Sequence, residues 1–148
     1  MATRTARTAW NGTLQEGSGQ TELASSGLGT FEVSWPKRTS DAADGSTSPE
    51  ELIAAAHASC YAMAFSGGIA KAGGTPQSLD VTADVSFGPD KERGGFMITG
   101  IKLTVRGKVD GLSNDEFVEA AQSAKENCPV SQALSGNVEI TLDAALAD

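Results

Sequence analysis

Two cysteines, Cys60 and Cys128, are the residues of this 148-residue chain best able to do chemistry, and they stand in different local settings. Cys60 closes the apolar run Leu52-Ile-Ala-Ala-Ala-His-Ala-Ser-Cys60, whereas Cys128 directly precedes Pro129 in Asn127-Cys-Pro-Val-Ser. A thiol reacts as thiolate, and an unperturbed pKa near 8.5 leaves only a few per cent ionised at neutral pH. Burial alone raises that pKa, so a reactive Cys60 needs a cation from elsewhere in the fold. The polar segment before it offers Lys37 and Arg38. Arg38 suits the task better, because a guanidinium is permanently charged and its planar fork can bridge a thiolate and a carboxylate. Glu50 is the carboxylate available for that bridge, with Glu51 assigned to a helix cap. Cys128 falls at or next to the N-cap of the short helix that Pro129 opens, where the helix dipole favours thiolate. On local grounds Cys128 is therefore the more acidic sulfur.

Other uses of these residues stand beside this one. Two free cysteines can simply be small buried hydrophobes. His57, three residues before Cys60, could ligate a metal. One histidine and two cysteines with no CxxC or HxxxH spacing make an incomplete zinc set, and no metal or other cofactor is expected. Tyr61 adjoins Cys60, but consecutive helical residues do not face one another, so it is given no role. A net charge of −8 works against nucleic acid and anionic lipid as partners. The longest apolar stretch, residues 52–65, is interrupted by His57, Ser59 and Cys60 and is too short to span a bilayer. Residues 1–9 are basic and Thr-rich, a weak likeness to a transit peptide, but carry no apolar secretory core. The expected location is cytoplasmic, where thiols rest reduced and a disulfide is transient.

The elements that must position these side chains follow from periodicity and punctuation. Length fits one domain over residues 1–148. Trp10 and Leu14, the turns at Gly12 and Gly17–Gly19, and the alternation over residues 29–35 predict an antiparallel meander. Residues 36–47 read as a polar loop without periodicity. Ser48-Pro-Glu-Glu51 is a helix start with a capping box, and the helix should run to Lys71-Ala72 before Gly73-Gly74, buried nearly all round. Strands over about 79–88 and 95–109 form a hairpin. A second capping box, Ser113 to Glu116, opens a helix with Phe117, Ala120, Ala121 and Ala124 on one face. A short helix from Pro129 and a strand over residues 137–142 complete the order βββ-α-ββ-α-α-β. The fold class is α+β, with antiparallel sheets around a long buried central helix.

The segments Ser48-Pro-Glu-Glu-Leu-Ile-Ala-Ala-Ala-His-Ala-Ser-Cys60 and Asn127-Cys-Pro-Val-Ser-Gln-Ala-Leu134 resemble the two cysteine motifs of the OsmC/Ohr superfamily (osmotically inducible protein C and organic hydroperoxide resistance proteins). Their order and spacing, and the strands between them, match over nearly the whole chain. Arg38 in Trp35-Pro-Lys-Arg-Thr39 resembles the OsmC branch; in Ohr members the arginine lies in an earlier loop, where this chain has Gly17-Ser-Gly-Gln20. The resemblance implies a thiol peroxidase acting on organic hydroperoxides and, less efficiently, on hydrogen peroxide. It implies that Cys60 attacks, that Cys128 resolves the sulfenic acid as a Cys60–Cys128 disulfide, and that Arg38 and Glu50 hold the thiolate. It further implies an intertwined homodimer and an external dithiol reductant. Apolar neighbours such as Leu52, Ile53, Met63 and Phe65 would favour alkyl or lipid hydroperoxides. The alternative reading keeps the fold as a non-catalytic redox-sensing or small-ligand-binding dimer.

Overall fold

The strand and turn signals of the first third become a three-stranded antiparallel sheet in the computed structural model, which describes residues Met1–Asp148. β1 (Arg7–Asn11), β2 (Ser18–Glu22) and β3 (Thr30–Val33) pair in sequence order. Thr8 and Thr21 lie directly opposite, their hydroxyls 2.9 Å apart. The segment expected to be loop from residue 36 holds one helical turn, α1 (Trp35–Arg38). Ser34 caps it by accepting the Lys37 N–H, and Pro36 supplies a helical φ. Four residues are too few to show a period, so only the cap could have announced this turn. These elements, with the start of the next helix, make up a first unit, Met1–Leu52; residues Ile53–Asp148 form a second.

Helix α2 (Pro49–Lys71) has the predicted bounds. Ser48 Oγ accepts the Glu51 N–H at 3.2 Å, while the Glu51 carboxylate takes the Thr47 hydroxyl at 2.5 Å, so the expected box is closed by a different donor. The helix ends in a Schellman arrangement: Gly73 has φ +90, its N–H donates to Ala70 O, and the Gly74 N–H reaches Ile69 O. Gly67 and Gly68 do not interrupt it.

In the second unit β4 (Thr75–Pro89) and β5 (Phe96–Asp110) form a long antiparallel hairpin. α3 (Asn114–Asn127) starts from the complete Ser113–Glu116 capping box, and α4 (Pro129–Leu134) follows at once. β6 (Ile140–Leu146) then pairs parallel to β5, from Ile101↔Ile140 to Gly107↔Leu146. The sheet is thus mixed, not wholly antiparallel as expected, because two helices carry the chain back to the starting end as a crossover. The core between sheet and helices comprises Leu103 and Val105 of β5, Phe117 and Ala121 of α3, and Tyr61, Phe65 and Ile69 of α2. Phe65 meets Phe117 edge-on with centroids 4.9 Å apart, and the Tyr61 hydroxyl donates to Ala121 O at 2.9 Å.

Burial of α2 is narrower than its composition suggests. His57, Tyr61, Phe65 and Ile69, each four residues apart, are fully buried, whereas Met63 is 71% exposed. The helix is longer than the apolar stretch read from the sequence; its 23 residues have the length and apolarity to cross a membrane. Its buried stripe instead packs against α3 and β5.

Gly107 is where β5 passes under α3: a Cβ there would lie 2.7 Å from a Phe117 ring carbon and 2.8 Å from Leu79. Gly107→Ala should therefore destabilise the protein by about 1–3 kcal/mol, the usual cost of overpacking, read as a lower midpoint in urea denaturation.

Candidate active site

Cys128 closes α3 and opens α4, with φ −65 and ψ 121. Pro129 imposes that extended conformation, since the residue before proline avoids the helical region. Both backbone groups of Cys128 are tied down: its N–H donates to Ala124 O and its carbonyl accepts the Gln132 N–H, each at 2.9 Å. The side chain is fully buried. Cys60, on α2 beside the buried stripe, is partly exposed. Helix packing brings the two sulfurs, 68 residues apart in sequence, to 3.2 Å. Both are free thiols.

The pair divides its acidity unequally. Burial pushes the Cys60 thiol up and the nearby Cys128 sulfur adds to this, against one opposing hydrogen bond from the Val130 N–H. Burial also acts to raise Cys128, but the neighbouring donors, the Ser131 N–H, the Cys60 thiol, the Ser131 hydroxyl and the Val130 N–H, outweigh it and hold the thiol below the ordinary range. The first proton therefore leaves Cys128, in agreement with the local reading of the sequence.

Two buried polar groups stand behind the sulfurs. His57 Nε2 lies 2.7 Å from Ser131 Oγ, and His57 Nδ1 has no hydrogen-bond partner. Burial lowers the His57 pKa and keeps the ring neutral. The sequence offers His57 only as a candidate metal ligand, and no three metal-binding side chains converge anywhere in the chain. Ser131 was not singled out at all. Its signal is the Cys-Pro-x-Ser spacing, which puts a hydroxyl in the first turn after Cys128.

Arg38 and Glu50, the other two residues chosen from the sequence, pair within the first unit. Arg38 Nε lies 3.1 and 3.2 Å from the two Glu50 oxygens, and Nη2 is 2.7 Å from Oε1. Glu50, in the first turn of α2, is 7% exposed. Such a fork on a buried carboxylate fixes both groups. The guanidinium also sits over the Trp35 ring, 5.8 Å from its centroid. Arg38 borders a cavity of about 480 Å³ whose walls include Trp10, Leu14, Val33, Trp35 and Leu52. Of the apolar residues proposed to surround a substrate, Leu52 lines this cavity, whereas Phe65 belongs to the second unit's core.

A family model described as OsmC-like protein matches residues 42–143, which include Cys60 and Cys128. The chain belongs to the OsmC-like protein family. This OsmC-like chain is 42% identical over 134 residues to the peroxiredoxin OsmC of Escherichia coli, with 90% of each chain covered. It is 35% identical over 99 residues to the organic hydroperoxide resistance protein OhrA of Bacillus subtilis, covering 67% of each. Among solved structures, it resembles an organic hydroperoxide resistance protein from Elizabethkingia anophelis with a TM-score of 0.79 and 28% identity, covering 99% of this chain and 98% of the other. OhrB of Bacillus subtilis gives a TM-score of 0.74 at 29% identity, covering 95% and 97%.

The neutral, buried His57 gives the fold a pH dependence of defined sign. Unfolded chains take up a proton at this residue as pH falls through 6.5, while the folded chain, with its lowered pKa, does not. Stability should be unaffected above 6.5 and should fall below it, by at most about 1.4 kcal/mol per pH unit from this one group. In His57→Gln that contribution vanishes. Urea denaturation at stepped pH should show a shallower acid slope for the variant than for the wild type, and equal slopes would contradict the assignment.

Proposed function

We propose that this OsmC-family protein reduces organic hydroperoxides, and less efficiently hydrogen peroxide, through a Cys60 sulfenic acid and a Cys60–Cys128 disulfide. Its class is that of a cysteine-based peroxidase. The observation that carries the reading is the 3.2 Å contact between one partly exposed and one fully buried thiol. The sulfurs need approach by only about 1 Å more to reach a disulfide bond length of about 2.05 Å. In the family-model match both cysteines fall inside the family region, and relatives bear the names peroxiredoxin and organic hydroperoxide resistance protein.

In the first step the Cys60 thiolate attacks the peroxide: the S–O bond forms, the O–O bond breaks, and the alkoxide leaves with a proton as alcohol. Arg38 is assigned two roles, drawing negative charge onto Cys60 and stabilising the leaving oxygen; Glu50 holds the guanidinium for both. Cys128 then attacks the sulfenyl sulfur, the S–O bond breaks and water leaves, which protects Cys60 from further oxidation. An external dithiol returns both cysteines to thiols by two exchanges. The apolar walls of the cavity beside Arg38 support an alkyl or lipid hydroperoxide as the preferred substrate. The reading treats residues 1–148 as one catalytic domain acting in the cytoplasm, where reduced dithiols are available.

A homodimer is part of the proposal. Met63 on α2, Leu28 and Phe31 are large apolar residues with 71%, 81% and 40% of their surface exposed in one chain, surface that a second copy would cover.

Dithiol-coupled turnover of an alkyl hydroperoxide tests the assignment. Wild type should consume peroxide continuously, Cys60→Ser should consume none, and Cys128→Ser should halt after forming one sulfenic acid per chain. Arg38→Met should lower kcat/KM by about 10²–10³, the range for losing one charge-stabilising donor. Sulfenylation in Cys60→Ser but not in Cys128→Ser would reverse the two roles. Sulfenylation of the wild type without sustained turnover would favour the redox-sensing alternative.

A further inference from the structure

We infer that His57 and Ser131 form a hydrogen-bond relay that aims the Ser131 hydroxyl at the Cys128 sulfur, making His57 a positioning residue for disulfide formation and release. The inference rests on the peroxidase reading for its place in the reaction, but its geometry stands apart from it.

The relay runs through buried atoms only. His57 is 0% and Ser131 4% exposed, and 2.7 Å separates Nε2 from Oγ. Ser131 stands in the first turn of the helix that Cys128 caps, both side chains are buried, and its hydroxyl is among the groups that hold the Cys128 thiol below its ordinary range. Because Nδ1 has no partner, a single bond decides which ring nitrogen carries the proton. If Nε2 accepted from Ser131, the serine would spend its only hydrogen on the ring and Nδ1–H would be a buried donor without an acceptor, a rare and costly state. With the proton on Nε2, the ring donates to Oγ and the serine hydrogen is left to point at Cys128. Only this tautomer leaves the serine hydrogen for Cys128. Every donor in the chain Nε2–H, Oγ–H then points toward the sulfur, and such chains strengthen one another.

A buried thiolate needs donors of this kind, since water cannot supply them. The titratable group acting on Cys128 is Cys60; the Tyr61 phenol, also on α2, feels the Cys128 charge and is pushed far up by burial, so it stays neutral and adds no charge. In condensation, the Cys128 thiolate attacks the sulfenyl sulfur of Cys60: the S–S bond forms, the S–O bond breaks, and the electron pair leaves as hydroxide. The proton that Cys128 gave up completes the water. In reduction, a thiolate of the external dithiol attacks Cys60, the S–S bond breaks, and its electron pair departs on Cys128. A sulfur of lower pKa leaves faster, so the serine donor aids this step as well.

The test measures the Cys128 pKa directly, from ultraviolet thiolate absorbance against pH in a Cys60→Ser background without peroxide. Ser131→Ala should raise the Cys128 pKa by about one unit, a tenfold loss of thiolate at neutral pH. His57→Ala should move it in the same direction, whereas Ser131→Thr and His57→Gln, which keep a donor at each place, should restore it. In single-turnover experiments on protein with both cysteines, the ratio of disulfide formation to sulfenic acid formation should fall about tenfold in Ser131→Ala, following the thiolate fraction. An unchanged Cys128 pKa in both alanine variants overturns the relay. Ser131→Thr behaving like Ser131→Ala overturns it too, since packing rather than the hydroxyl would then be responsible. If Ser131→Ala does not fold, the His57→Ala and His57→Gln pair decides by the same readout. Failure of the wild type to consume hydroperoxide would sink the peroxidase reading alone, because the pKa measurement needs no peroxide.

Discussion

The contact between Cys60 and Cys128 depends on the packing of α2 against α3. Neither sulfur has local freedom to find the other. Cys60 is carried on a 23-residue helix, and Cys128 is pinned between two helices by Pro129 and by bonds from both of its backbone groups. What sets the 3.2 Å separation is the layer of Tyr61, Phe65, Ile69, Phe117 and the alanines of α3. Alanine at positions 120, 121 and 124 lets the helices approach closely, and interiors are packed too densely to absorb a slip of one methyl group unnoticed. The close thiol pair is therefore a product of the hydrophobic core, and the polar groups around it are adjustments to that geometry.

Much of this was legible in the sequence where local chemistry dictates structure. Ser48-Pro49 and Ser113–Glu116 announced two helices correctly, Gly73-Gly74 the stop of the first, and the alternation around Pro89–Gly95 a hairpin. The ion pair of Arg38 with Glu50 followed from asking which cation and which carboxylate remained unused, and the two side chains do meet. The features that were not legible depend on partners distant in sequence. The direction of β6 is fixed by how α3 and α4 return the chain, which no period within residues 140–146 encodes. The one-sided burial of α2 could not be separated from all-round burial, because alanine is equally acceptable on either side. The spacing after Cys128 sets the place of Ser131, but its partner His57 lies 74 residues earlier and only the fold brings the two together.

Acidity and access rank the two sulfurs in opposite orders, and this bears on their roles. Cys128 is the stronger acid but has no exposed surface; Cys60 is the weaker acid and is the one a solute can reach. A reading based on acidity alone would name Cys128 the nucleophile. Thiolate reactivity argues otherwise, because intrinsic nucleophilicity falls with pKa, with a Brønsted slope of about 0.4–0.5, while leaving ability improves. Once ionised, the sulfur of higher pKa attacks better, and the sulfur of lower pKa departs better from a disulfide. Those are the properties the proposed cycle asks of Cys60 and Cys128 respectively.

The remaining difficulty is how Cys60 becomes ionised at all, and the short sulfur–sulfur distance reduces it. Across 3.2 Å the two groups hold their protons as a pair, so losing one proton places a single negative charge that either sulfur can carry. The donors on Cys128 lower the cost of creating that charge in a buried setting, even though they do not act mainly on Cys60. A cation then needs only to shift the charge between neighbours, a smaller task than ionising an isolated buried thiol. On this account the donors of α4 make the anion available, and the cation of the proposed cycle is asked only to select the sulfur that uses it.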